Sequence, residues 1–113
     1  MTKLNFGRDV QGLNAFAPSF PDLKYSATLA SGGSDDLDVP SSNPEWIVVF
    51  SYQPGSAMWV SVNGTAAAPA GGTFAANASV LNPAQLKVFA GDNIDVYNNS
   101  SSGQDVGISL YAV

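Results

Sequence analysis

From Leu23 onward, apolar and polar positions alternate with a period of two. Leu23, Tyr25, Ala27 and Leu29 are interleaved with Lys24, Ser26 and Thr28, the pattern of a half-buried strand. Leu37 and Val39 mark a short strand that Pro40 ends. The densest stretch runs from Glu45 to Asn63, where two runs of β-branched and aromatic residues flank Pro54-Gly55. Pro then Gly suits the second and third positions of a type II turn, so this stretch predicts a β-hairpin. The segment from Ala66 to Ala78 is biased toward small residues, and Phe74 is its expected anchor in a short strand. Gln85 to Phe89, Asn93 to Asn98 and Asp105 to Val113 complete the series, separated by Ala90-Gly91-Asp92 and Ser100 to Gln104. About eight short strands at near-regular spacing predict an all-β chain, a single antiparallel β-sandwich of the small jelly-roll kind.

The same periodicity predicts a core of Trp46, Val48, Phe50, Val60, Val62, Leu86, Val88, Ile94, Val96, Val106, Ile108 and Leu110. One strand is apolar on both faces: Trp46, Val48, Phe50 and Tyr52 point one way, Ile47 and Val49 the other. A sandwich strand needs only one apolar face, so a long loop or another protein is expected to cover the second. Alternation also turns Trp59, Tyr97 and Tyr111 outward. A sheet face carrying these three is the predicted interface, to be covered by the chain's own N-terminal segment, by a partner protein or by sugar rings.

Residues 1–22 break the pattern. Leu4, Phe6, Val10, Leu13, Phe16 and Phe20 lack period two, and Gly7, Gly12, Pro18 and Pro21 discourage a continuous helix. The chain therefore divides into an extended N-terminal arm, 1–22, and a sandwich, 23–113. The arm packs on its own domain as a flap or lays Phe6, Phe16 and Phe20 on a neighbouring subunit, plain disorder being disfavoured by its large apolar residues.

Composition narrows the chemistry. The 113 residues suffice for one domain and contain neither histidine nor cysteine. That removes disulfides, Ser-His-Asp and Cys-His catalysis, and nearly all structural zinc sites. No enzymatic activity, cofactor or transition metal is expected. A net charge of −5 with only Lys3, Arg8, Lys24 and Lys87 argues against nucleic acid and anionic membranes as partners. Asp35, Asp36 and Asp38, and Asp92 with Asp95, read as solvated turn residues; calcium is the one ion their oxygens could hold. Charged residues make up 12% of the chain, about half the usual share, which suits a domain that spends its life assembled. Met1 to Phe6 lacks the apolar core of a secretory signal, so the glycosylation sequons at Asn63, Asn77, Asn98 and Asn99 read as by-products of Asn- and Ser-rich loops.

The stretch Trp59-Val60-Ser61-Val62-Asn63-Gly64, the loop Pro69-Ala70-Gly71-Gly72-Thr73-Phe74, Ser79-Val80-Leu81-Asn82-Pro83 and Val88-Phe89-Ala90-Gly91-Asp92-Asn93-Ile94 carry a resemblance. Over residues 45–113 the chain resembles the small jelly-roll cement, or decoration, proteins of tailed-bacteriophage capsids. The resemblance implies a non-enzymatic virion protein, made in the host cytoplasm, that binds the outer capsid surface as a homodimer or homotrimer. Its partners would be sister copies and the major capsid protein, whose neighbouring subunits it staples. The alternative is a glycan-binding sandwich module of a phage head fibre or tail.

Overall fold

A computed structural model describes residues 6–8, 14–18, 21–76 and 78–113. The described residues form ten strands: β1 (Phe6–Arg8), β2 (Asn14–Pro18), β3 (Leu23–Leu29), β4 (Ser34–Asp38), β5 (Glu45–Tyr52), β6 (Met58–Val62), β7 (Val80–Leu81), β8 (Gln85–Phe89), β9 (Asn93–Asn98) and β10 (Gln104–Ala112). Strands β1 and β2 pair antiparallel as a two-stranded sheet of their own. The other eight form two antiparallel four-stranded sheets, ordered β3-β10-β5-β8 and β4-β9-β6-β7. From β3 on, every connection carries the chain from one sheet to the other, except β6 to β7. That is the strand order of a jelly roll, and the described residues contain no helix.

Period two fills the space between the sheets as the sequence predicts. Trp46, Val48, Phe50, Val60, Val88, Ile94, Val96, Val106, Ile108 and Leu110 are all buried, joined by Leu29, Val39, Met58 and Ala112. Trp46 is fully enclosed, and its indole N–H donates to the carbonyls of Asn43 and Pro40 at 3.0 and 3.2 Å. Two predicted core residues depart from this. Val62 is 38% exposed because β6 ends there and Asn63 turns into the left-handed region at φ 59°. Leu86 is only partly buried because β8 is an edge strand.

The predicted Glu45–Asn63 hairpin is corrected in an instructive way. The turn itself is as expected: Gly55 has φ 80° and the Ser56 N–H donates to the Gln53 carbonyl at 3.1 Å, the i to i+3 bond of a type II turn. Yet β5 and β6 do not pair. β5 lies between β10 and β8 in one sheet, β6 between β9 and β7 in the other. The turn is an arch over the end of the sandwich, because both strands present an apolar stripe to the same core and bury it best from opposite sides.

Asparagine side chains tie the loops together. The fully buried Asn98 donates to the carbonyls of Leu29, Ala30 and Ser102 at 2.8, 3.3 and 3.1 Å, and its carbonyl oxygen accepts the Ser100 N–H. Asn82 accepts from the Met58 N–H and donates to the Ser56 carbonyl, both at 2.8 Å. Asn63 donates to Asp92 and accepts from the Asn93 N–H. The Asn-rich composition is thus largely loop stapling, with the amide of Asn98 consumed by the fold.

Candidate functional site

The three aromatic residues predicted on one face do not share one. Trp59 and Tyr97 are direct cross-strand partners of β6 and β9, on the outer face of their sheet. Tyr111 belongs to β10, opposite Ile47, on the outer face of the other sheet. Alternation gave the correct side of each strand but not the sheet to which each strand belongs. Tyr111 is moreover only 8% exposed, although it points away from the core. The chain enters the sandwich beside it: Leu23 pairs with Leu110, and the Asp22 carboxylate accepts the Ala112 N–H at 2.9 Å. Tyr111 is therefore already buried within a single copy. Of the arm residues, Phe6 and Phe16 fall in the backbone of β1 and β2. Their side chains, and the whole of Phe20, lie outside the described residues.

Trp59 and Tyr97 are half-buried and sit in a row that crosses the sheet from Ser34 through Tyr97 and Trp59 to Leu81 on β7. Leu81, at the free edge, is 46% exposed, and Val80 beside it is exposed too. The indole N–H of Trp59 is shielded from solvent and meets no acceptor among the described residues. A buried donor without an acceptor costs roughly 1–3 kcal/mol, so this row is not satisfied among the described residues.

The next rows on that face are polar. Asp36 faces Asp95, and Asp38 faces Asn93. The Asn93 amide donates to Asp36 and Asp38 at 2.7 and 2.9 Å, and Asp95 accepts the Ala66 N–H at 2.8 Å. Asp92 accepts from Asn63 and from the Phe89 N–H, and these bonds hold its carboxyl below the usual aspartate range. The aspartates read from sequence as turn residues thus lie partly in β4 and β9 and act as acceptors. No cluster of three or more His, Cys, Asp or Glu able to hold a metal occurs among the described residues.

Two features were not legible in sequence. Phe74, expected in a short strand, lies in none; it stands fully exposed in the small-residue segment between β6 and β7. That segment is fixed at its base by the Ala66 bond to Asp95 and by the Ala67 N–H donating to Ser79 Oγ at 3.1 Å. The second feature is a cleft of about 160 Å³ between edge strands β3 and β4. Its floor is Val96, Val106 and Ile108, its walls include Ala27 and Leu37, and Asp35 stands at the rim. Pairing with Val106 and Val96 directs Ala27 and Asp35 toward the core, where one is too small and the other too polar to close the sandwich. No family model and no curated protein matches this chain.

Proposed function

We propose that this chain is a structural virion protein that binds the outer surface of a phage capsid and staples neighbouring major capsid subunits, without catalysis. The observation that carries the reading is the apolar row Tyr97–Trp59–Leu81, which runs across an outer sheet face to an open edge with an unmet indole donor in it. Covering Leu81, which is 46% exposed, would contribute about 1 kcal/mol. The resemblance of residues 45–113 to capsid cement proteins supports the same reading, and so does the low charged fraction of 12%. The arm, 1–22, with Phe6, Phe16 and Phe20, is the second surface offered to the shell or to a sister copy.

Co-sedimentation with purified capsid shells tests this. The intact protein should pellet with shells at a stoichiometry comparable to that of the shell protein. Leu81→Lys, a change at an exposed position, should remain folded and stay in the supernatant. Intact protein that stays in the supernatant, or that is retained on a glycan array and scarce on particles, would favour the glycan-binding alternative instead.

A further inference from the structure

We infer that copies of this protein associate head to tail, with the Phe74 ring of one copy seated in the β3–β4 cleft of the next. The inference rests on the assembly reading above and names the contact between sister copies.

Size is the first argument. An aliphatic cavity of about 150 Å³ holds a benzene ring. The cleft measures about 160 Å³ and has Val96, Val106 and Ile108 as its floor, so a phenylalanine ring fills it. Exposure is the second. Phe74 is fully exposed and meets no cover among the described residues, which for so large an apolar side chain forgoes the gain of burial. Its segment is built of alanine, glycine and proline, which let the backbone around the ring approach a partner closely.

Charge is the third argument. The chain carries a net charge of −5, so copies repel one another wherever charged surfaces meet. No charged side chain occurs between Glu45 and Lys87, so the Phe74 segment within that stretch can approach the Asp35 and Asp36 rim without repulsion. The backbone N–H groups of Gly71 and Gly72 are donors of the kind those carboxylates accept.

Topology makes the contact heterologous. β7, next to the Phe74 segment, and β4, at the cleft, are opposite edges of one four-stranded sheet. Three strand spacings separate them, about 14 Å, so knob and hole are distinct patches of the same molecule. Such a contact closes into a ring or continues as a chain, rather than forming a two-fold dimer on one shared patch.

Two variants test the inference. Phe74→Ala removes the ring at a fully exposed position and keeps the cleft. Ala27→Phe fills the cleft with the chain's own ring and keeps Phe74. By sedimentation velocity the unmodified full-length chain should associate, and each variant alone should bind itself roughly 30-fold or more weakly. Mixed together, the two variants should form a complex of one copy of each, because each retains the half that the other lacks. Circular dichroism establishes that both are folded. A mixture that stays monomeric, or a Phe74→Ala protein that associates like its parent, would overturn the contact. Unmodified protein that binds shells but stays monomeric alone would overturn it while leaving the assembly reading intact. Self-association without shell binding would do the reverse.

Discussion

The two long sides of this sandwich are made differently. On one side the edge strands are β3 and β4, on the other β8 and β7. The β3–β4 side is guarded by charge: β4 carries Asp35, Asp36 and Asp38, with Asp35 directed inward, a known way of keeping a free edge from pairing. The cost of that guard is a cleft, because a carboxylate and the small Ala27 stand where two large apolar side chains would close the core. The β7–β8 side is guarded by brevity. β7 is two residues long, too short to template a sheet, but its Val80 and Leu81 are left exposed, and Phe89 is exposed at the end of β8. One device leaves a hole and the other leaves knobs. A sheet edge defended against indiscriminate pairing can in this way still be specific for a shaped partner.

The largest expected effect is at the β3–β4 side. Asn98→Ala removes the amide that bonds three carbonyls around the turn into β4, and it leaves them buried without a donor. A loss on the order of 3 kcal/mol is expected. It would be read as a lower urea midpoint with an unchanged slope. A near-neutral result would mean that water enters that turn freely and that this side is looser than the other.

A smaller effect is expected where β7 passes to β8. Tyr52 donates its phenol to the Pro83 carbonyl in that connection, stacks on Phe50 with ring centroids 6.1 Å apart, and has its phenol pKa raised by burial. Tyr52→Phe keeps the stack and loses the bond, so about 1 kcal/mol should be lost. Hydrogen exchange of the Val80 and Leu81 amides should rise more than that of β3. Uniform loosening of both sides would show that they are one cooperative unit.

The smallest effect is in the turn after β8. Asp92 has its folded pKa lowered by the bonds from Asn63 and Phe89. Its contribution is therefore fully present above the ordinary aspartate value of about 3.9 and is lost as pH falls through the lower folded value. Asp92→Asn should lower stability slightly near neutrality, where the carboxylate's contribution is fully present, and flatten the acid limb in that window. An unchanged acid limb would show that the bonds from Asn63 and Phe89 to Asp92 carry no net stability.

Most of the core was legible in the sequence because each strand packs against one core, and alternation alone selects which side chains do so. Ten of the twelve predicted core residues are buried, and the two exceptions, Val62 and Leu86, sit at a strand end and on an edge. Asn98 carried a readable signal that composition hid: it follows Ile94 and Val96 on the inward side of β9, where a polar residue must find internal partners. Phe74 carried a misleading one. A lone phenylalanine among small residues suggests an anchor in its own fold, and only the three-dimensional arrangement leaves it facing solvent.

Chain chemistry by itself thus determined that this protein is a β-sandwich, which residues face its core, and that Pro54-Gly55 turns the chain sharply. These follow from local geometry: strand pleating and the φ preferences of proline and glycine. The tertiary structure alone decided which strands are neighbours. The same turn serves a hairpin or an arch, and the choice depends on whether more apolar surface is buried by pairing β5 with β6 or by setting them in opposite sheets. That non-local choice put Trp59 beside Tyr97, sent Tyr111 to the far face, and opened the cleft between Ala27 and Asp35.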